Sequence, residues 1–231
     1  MNIKSAAVLS LLSLFTILQA GAANSGFGNN NSVETSAVKP ESAAFPFFGP
    51  KDDVVFIDTD FGQIVLVLSN KTPKHKANFI KLAKEGFFDG TTFHRIIDRF
   101  MIQGGDPNSK NDNPNDDGGG GPGYTIPAEF NETLTHVAGA VAAARMGDGQ
   151  NPQKESSGSQ FYIVENEEGT HFLDKNYTVF GQVIQGMDVV HKIAEQPKAA
   201  ADRPLKDIKM KVTVKQMRMK KITKKYGYKY E

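Results

Sequence analysis

The chain has 231 residues with a formal net charge of +1, and 39% of its residues are hydrophobic. This length and composition are those of a globular protein with one sizeable core, and a net charge so close to zero excludes a whole-chain field that would attract a polyanion or an acidic substrate. The chain has no cysteine, which excludes disulfides, thiolate chemistry and a lipid anchor on an N-terminal cysteine.

Residues 1–22 have the pattern of a secretory signal peptide. Lys4 is the only charge, residues 6–18 are apolar, and Ala-Gly-Ala at 20–22 is a small-x-small cleavage signal. An uncleaved membrane anchor is the alternative, but the apolar run is short for a bilayer and contains two serines. We therefore expect an exported protein, in the periplasm or outside the cell. Residues 23–50, rich in Asn, Ser, Gly, Ala and Pro, are predicted to be a flexible linker.

Regular structure is predicted to begin with a β-hairpin formed by residues 54–58 and 64–68. Thr72-Pro73 then opens a helix that ends near Gly86, because Thr is a good N-cap and Pro is tolerated in the first turn. A second helix is predicted at residues 188–195. The remaining short β-type runs are separated by Gly, Pro and Asn clusters; they cover residues 91–97, 100–103, 136–144, 159–164, 177–184 and 208–214.

Many strands with only two helices indicate an all-β-dominated antiparallel barrel or sandwich rather than a βαβ fold. The last run alternates apolar and polar residues, as a half-buried strand does. We predict a single domain over residues 51–219, followed by a basic C-terminal tail at 220–231.

Residues 93–106 mix large apolar side chains with an arginine and a glutamine, and read Phe-His-Arg-Ile-Ile-Asp-Arg-Phe-Met-Ile-Gln-Gly-Gly-Asp. Side chains alternate between the two faces of a strand, which predicts that Phe93, Arg95 and Ile97 share one face and that Met101 and Gln103 share one face of the next strand. The pattern alone leaves two interpretations open, a functional site and a hairpin with surface arginines.

This segment resembles the cyclophilins, whose signature is a Phe-His-Arg strand that runs into Phe-Met-x-Gln-Gly-Gly-Asp. The resemblance spans residues 54–214 and continues through further motifs at 121–130, 139–145, 158–163 and 172–181. It implies a closed eight-stranded antiparallel barrel capped by two α-helices. It also implies a peptidyl-prolyl cis/trans isomerase of the exported bacterial type, which acts without a cofactor on proline-containing segments of client proteins.

The residue types agree with that chemistry. Rotation of an X-Pro bond must overcome a barrier of about 18–20 kcal/mol, and it needs no covalent step. Arg95 has a permanently charged fork that can donate to the substrate carbonyl and to the prolyl nitrogen as this nitrogen becomes pyramidal. By resemblance the catalytic residues are Arg95, Gln103 and Phe100. The residues that the resemblance assigns to substrate binding are His94, Met101, Ala144, Arg145, Gln160, Tyr162, Phe172, Leu173 and Tyr177.

Four of these positions depart from the commonest family pattern. Tyr162 replaces a phenylalanine of the proline pocket, so its hydroxyl must reach water or a partner if proline binding is not to weaken. Phe172 replaces the tryptophan that holds cyclosporin in many eukaryotic members, so we expect weak cyclosporin binding. Tyr177 replaces a histidine of those eukaryotic members, which leaves Arg95 as the principal catalytic group. Arg145 replaces an asparagine of the eukaryotic forms.

The remaining signals favour solvated surface. Residues 106–117 are rich in Asp and Asn, but Tyr124 stands where an EF-hand loop needs a glutamate, and no Lys-Ser or Lys-Thr follows the four glycines as a P-loop requires. We predict a solvated loop there and no metal site. The basic tail has a composition that could bind nucleic acid or an anionic membrane, but we predict a solvated terminus without nucleic acid as partner.

We expect no stable membrane insertion after signal cleavage, and a monomer. One competing function is a chaperone or scaffold module that binds Pro segments with incidental turnover. Another is a cation-binding surface protein built on the Asp-rich loop. An intact Arg95 favours the enzyme, because a pure binder has no need of this donor.

Overall fold

The structure is a computed structural model that describes residues 49–111 and 113–230. The predicted signal peptide and nearly all of the predicted linker lie outside these residues. Ten strands are present in the described chain. In chain order they are β1 (Lys51–Thr59), β2 (Gly62–Leu68), β3 (Arg95–Ile97), β4 (Met101–Gly104), β5 (Thr125–Ile126), β6 (Ala140–Ala143), β7 (Ser156–Ser157), β8 (Phe161–Val164), β9 (Val179–Gln185) and β10 (Lys211–Arg218).

Eight of the strands form one antiparallel sheet in the order β10-β1-β2-β9-β6-β8-β4-β3, and β5 and β7 form a separate pair. The predicted hairpin is present: β1 and β2 pair from Val54–Val67 to Thr59–Gly62. Gly62 closes this turn at φ 128°, a backbone conformation that favours glycine.

The sheet is open, so the prediction of a closed barrel is wrong in that respect. Its edge strands β3 and β10 share no ladder; the segments that precede them meet through an isolated antiparallel bridge between Thr92 and Lys209. Phe93 N donates to Ile208 O at 2.9 Å beside this bridge. The bridge precedes both strands, and antiparallel strands continue from it in opposite directions. The two edges therefore diverge, and the sheet curls without closing.

Two helices pack against the inner face of the sheet, as predicted, and each covers part of the main core. Helix α1 (Pro73–Lys84) buries Phe79, which stacks on Phe88 with ring centroids 4.7 Å apart. Helix α2 (Met187–Ala194) buries Val190 and Ile193. Both helices therefore lie on the face of the sheet that forms the main core.

A third helix, α3 (Met219–Tyr226), was not predicted and covers most of the expected basic tail. Its Ile222 is completely buried against the outer face of β1 and β2, in contact with a cluster that includes Phe56 and Val67. Its four lysines point to solvent. The segment is thus a packed element, and its basic face is outermost. No helix among residues 49–111 and 113–230 is long and apolar enough to cross a membrane.

Candidate active site

A row of directly opposed residues crosses four strands of the sheet. Arg95 on β3 is paired with Gln103 on β4, Gln103 is paired with Tyr162 on β8, and Tyr162 is paired with Ala142 on β6. Directly opposed residues of antiparallel strands project their side chains from the same face. The sheet therefore brings a guanidinium, a carboxamide and a phenol ring together, although they come from distant parts of the sequence.

This row borders a cup of about 140 Å³ on the face of the sheet away from the main core. Met101 and Tyr162 form its floor and are 2% and 5% exposed. The cup contains nine of the twelve predicted site residues. Its lining consists of Arg95, Phe100, Met101, Gln103, Ala144, Arg145, Tyr162, Leu173 and Tyr177.

The side chain of Arg95 is 42% exposed at the mouth of the cup. Its Nε lies 3.9 Å from the carboxylate of Asp202, at the limit of an ion pair, so this partner holds it only weakly. No sequence pattern indicated Asp202. The guanidinium can therefore turn its donors toward a ligand in the cup.

Gln103 and Gln160 form a carboxamide pair beside the cup. Gln103 Nε2 donates to Gln160 Oε1 at 3.2 Å, and Gln160 Nε2 donates to the carbonyl oxygens of Gly118 and Gly120 at 2.9 and 2.8 Å. Gln160 lies outside the cup itself and lines an adjoining cleft of about 640 Å³, which also borders Gln103 and Arg145. The two cavities form one continuous surface along which an extended peptide can lie.

The side chain of Arg145 is occupied by other groups of the protein. It is 5% exposed, and its Nε donates to Asn176 O at 2.8 Å while Nη1 donates to Asp148 at 2.6 Å. Its guanidinium also lies over the ring of Tyr177, 4.6 Å from the centroid. The structure thus places Arg145 in the lining of the cup, with its guanidinium held against Tyr177 as a support for that ring.

Besides Gln160, two of the predicted residues, Phe172 and His94, lie outside the cup. Phe172 is 72% exposed and stacks on Phe100 at the rim, with centroids 5.9 Å apart. His94 is buried, and neither of its ring nitrogens has a hydrogen-bond partner. Burial lowers the pKa of His94, an effect larger than that of the nearby Asp106 and Asp117 carboxylates. Its assignment to substrate binding stays a prediction.

The expected common face of Phe93, Arg95 and Ile97 is not observed for Phe93. Phe93 and Ile96 both belong to the main core, whereas Ile97 packs with the cluster around the cup. Residues 93 and 94 precede the first residue of β3, so strict alternation has not begun there. The face that carries Arg95 starts at Arg95 itself.

The Asp-rich loop is only partly solvated, which corrects the prediction for its two ends. Asp106 is completely buried; its carboxylate accepts hydrogen bonds from Asn108 N at 2.8 Å and from Gly120 N at 3.1 Å. Asp117 pairs with Arg203 at 2.7 Å. These contacts fix the glycine segment that Gln160 holds. Within the described ranges, no three His, Asp or Glu side chains are grouped as metal ligands.

Tyr162 has the partner that its hydroxyl requires. The hydroxyl oxygen lies 2.9 Å from Nε2 of His136, and Nδ1 of His136 lies 2.7 Å from Asp174. Neither His136 nor Asp174 was predicted as a site residue. The only signal in the sequence was the tyrosine at a position that is usually phenylalanine in the family.

The chemistry of the cup defines a class of site. Its lining side chains, all within the described part of the chain, include no Ser, Thr, Cys, Asp, Glu or His that could act as nucleophile or acid–base group. An apolar floor with a cationic fork at its mouth suits an apolar ring next to a carbonyl group. A site of this kind can hold a peptide through non-covalent contacts.

Comparison with known proteins identifies the family. The model of the family described as "Cyclophilin type peptidyl-prolyl cis-trans isomerase/CLD" matches residues 54–215. The chain therefore belongs to the cyclophilin-type peptidyl-prolyl cis-trans isomerase family. Peptidyl-prolyl cis-trans isomerase-like 1 of Mus musculus is 38% identical over 161 residues, which is 68% of this chain and 88% of that protein. Peptidyl-prolyl cis-trans isomerase-like 2 of Rhizopus delemar is 40% identical over 162 residues, 67% of this chain.

Some relatives are much longer than this chain. The match covers 27% of the Rhizopus delemar protein and 37% of a relative from Streptococcus pyogenes. Among solved structures, a cyclophilin-type isomerase of Cryptosporidium parvum is similar, with a TM-score of 0.62 and 27% identity over 72% of this chain and 98% of that one. A second structure of that protein, obtained in the presence of the dipeptide Ala-Pro, matches with a TM-score of 0.61.

Proposed function

We propose that this chain is a peptidyl-prolyl cis/trans isomerase whose catalytic donor is Arg95. The observation that carries the proposal is the position of a half-exposed guanidinium at the mouth of an apolar cup, in register with Gln103 and Tyr162. The cup volume of about 140 Å³ and its apolar floor suit a proline ring, and the adjoining cleft suits neighbouring residues of the peptide.

Catalysis follows from selective stabilisation of the twisted amide. As the X-Pro bond rotates, the prolyl nitrogen loses conjugation, becomes pyramidal and gains a lone pair that accepts a hydrogen bond. The planar fork of Arg95 can donate to this nitrogen and to a carbonyl of the substrate together. The contact to nitrogen exists only in the twisted state, so it lowers the barrier more than it strengthens the starting complex.

NMR exchange on an Ala-Pro peptide tests the activity. Exchange between cis and trans signals should be fast with the wild type and with Arg99→Ala, which removes an exposed arginine of the same hairpin. It should be lost with Arg95→Ala. A wild-type chain that bound the peptide without accelerating exchange would contradict the proposal and identify a Pro-segment-binding module instead.

We propose further that the chain is of the exported bacterial type and acts on proline-containing segments of exported clients, in the periplasm or outside the cell. The support is the charge, apolar run and Ala-Gly-Ala site of residues 1–22, together with the absence of cysteine. Mass spectrometry of the protein from fractionated cells should find a mature N-terminus at Ala23. An intact N-terminus in the cytoplasm would refute export.

A further inference from the structure

Three side chains form a hydrogen-bonded chain behind the cup. The Tyr162 hydroxyl lies 2.9 Å from Nε2 of His136, and Nδ1 of His136 lies 2.7 Å from Oδ1 of Asp174. His136 is completely buried, and its ring is nearly parallel to that of Tyr162, at 14°, with centroids 6.0 Å apart. The polar tip of Tyr162 thus points away from the cup while its ring forms the floor.

The contacts determine where the protons lie. Asp174 accepts from Nδ1 of His136, and its Oδ1 also accepts from the His136 backbone N at 2.8 Å. Nε2 of the neutral imidazole is then the acceptor for the Tyr162 hydroxyl. Burial lowers the pKa of His136 despite the Asp174 carboxylate, and burial raises the pKa of Tyr162, so both groups are neutral at neutral pH.

His136 also holds the opposite wall of the cup. Leu173 belongs to a 3-10 turn, His171–Leu173, flanked by Thr170 and Asp174. At one end of this turn Thr170 N donates to His136 O at 2.7 Å, and at the other end Asp174 binds both the backbone and the ring of His136. One residue therefore connects the floor on β8 with the turn that carries the Leu173 wall.

We propose that His136 is the positioning residue of the cup: through the Tyr162 hydroxyl and Asp174 it fixes the Tyr162 ring against the turn that carries Leu173. It touches no substrate, since it lies behind the floor. The inference rests on the proposed function only in taking the cup as the proline site. It also links the identities of residues 162 and 136: a tyrosine at 162 needs an acceptor such as His136, whereas a phenylalanine there would not.

Two substitutions of His136 distinguish its contact to Asp174 from its contact to the Tyr162 hydroxyl. His136→Asn retains an N–H close to Asp174 but does not reach Tyr162, which leaves a buried hydroxyl unpaired. His136→Gln is long enough to retain an acceptor for that hydroxyl. An unpaired buried hydroxyl costs enough to weaken ligand binding by roughly five- to tenfold when the ring must shift to reach water. We expect this loss of peptide affinity for His136→Asn and less than about a twofold change for His136→Gln.

Removal of the hydroxyl should rescue the damaged cup. In His136→Asn/Tyr162→Phe no hydroxyl is stranded, so peptide affinity is expected to return to within about twofold of the wild type. If His136 had only a structural role, Tyr162→Phe would not restore peptide affinity in the double variant. His75→Asn is the matched control, because His75 is also buried and paired to a carboxylate, that of Glu129 at 2.7 Å, away from the cup. This control should retain wild-type peptide affinity.

The experiment combines two measurements on the full chain. Peptide affinity comes from titration with an Ala-Pro peptide, and the ring-flip rate of Tyr162 comes from NMR with labelled tyrosine in the absence of peptide. We expect faster flips in His136→Asn but not in His136→Gln or His75→Asn. Slow flips and wild-type affinity in His136→Asn, or additive losses in the double variant, would overturn the inference. Should His136→Asn not fold, Tyr162→Phe must still rescue its folding, and failure to do so would also overturn it.

The ring-flip measurement keeps this inference distinct from the proposed function. If the wild type does not accelerate exchange in the peptide, the proposed function fails, whereas the His136-dependent restriction of Tyr162 can still be observed. If the wild type is an active isomerase and Tyr162 flips equally in all variants, the positioning role fails while the proposed function stands.

Discussion

At the scale of single residues, the site combines one exposed group with several buried ones. Arg95 keeps 42% of its side chain in solvent, whereas Met101 and Tyr162 are almost completely buried beside it. Exposure allows the guanidinium to approach a ligand, and burial fixes the floor within the packed sheet. In the proposed mechanism, the cup holds a proline ring by its shape, and the charge at its mouth acts on the neighbouring amide.

Phe100→Ala should weaken peptide binding and turnover without unfolding the chain. Phe100 is a half-buried wall of the cup and stacks on Phe172, so its removal leaves a bound proline ring poorly packed. Loss of this contact is expected to raise the peptide dissociation constant by about tenfold, measured by titration. Phe172→Ala is the control at the exposed rim and should have a smaller effect. Equal affinities in Phe100→Ala and the wild type would contradict the assignment of the cup.

At the scale of elements, local signals predicted more than distant ones. Thr72-Pro73 and Gly86 delimit the first helix in the sequence, and α1 occupies Pro73–Lys84. Helix α3 escaped prediction because a lysine-rich segment has little apolar surface of its own, and its single buried isoleucine gains a partner only when β1 and β2 present their outer face. Only the resemblance implied that the sheet closes. The sheet stays open because β3 and β10 diverge from a single bridge.

In the site as well, local sequence signals predicted more residues than distant ones. The Phe-His-Arg and Phe-Met-x-Gln segments contain Arg95 and the floor residue Met101, which the structure brings together through the β3–β4 register. His136 and Asp174 are separated by 38 positions and meet only through the tertiary fold. Sequence reasoning demanded a partner for the Tyr162 hydroxyl but had no means of naming it.

Ile222→Ala should destabilise the chain, because α3 is part of the packed structure. Ile222 is completely buried between the helix and the outer face of β1 and β2. Truncation of such a side chain costs about 2–5 kcal/mol of unfolding free energy, which urea unfolding can measure. The exposed Lys221→Ala on the same helix is the control and should change it by less than about 0.5 kcal/mol. Equal unfolding midpoints for both variants would show that α3 does not stabilise the fold.

At the scale of the whole molecule, the sheet separates two apolar regions. Helices α1 and α2 cover its inner face and form the main core, whereas the cup and α3 occupy the other face. The site thus lies on a rigid support whose core it does not share. Three buried histidines, His75, His94 and His136, lie at different places in this framework and link its stability to pH.

The free energy of unfolding should fall as the pH drops below about 6.5. Burial lowers the pKa of His75, His94 and His136 from the ordinary value of 6.5, because desolvation outweighs their neighbouring carboxylates. Below 6.5 the unfolded chain therefore binds more protons than the folded chain. The stabilisation that comes from the neutral buried histidines is complete above pH 6.5. It is lost as the pH falls toward their lowered pKa values.

Urea unfolding at about pH 7.5 and about pH 5.5 measures the difference in unfolding free energy between the two pH values. His136→Asn should make the difference smaller, because one of the three buried histidines is removed. Equal stability of the wild type at the two pH values would contradict the role of the buried histidines.

The catalytic role of Arg95 is tested most directly by the split between rate and affinity in Arg95→Ala. Two-dimensional NMR exchange on one Ala-Pro peptide at saturating enzyme gives the isomerisation rate, and titration of the same samples gives peptide affinity. Loss of a donor that acts in the twisted state should slow exchange by about 100-fold or more and change affinity by less than about tenfold. Arg95→Lys should recover little, because an ammonium lacks the planar fork. Near-wild-type exchange in a folded Arg95→Ala protein would contradict the mechanism.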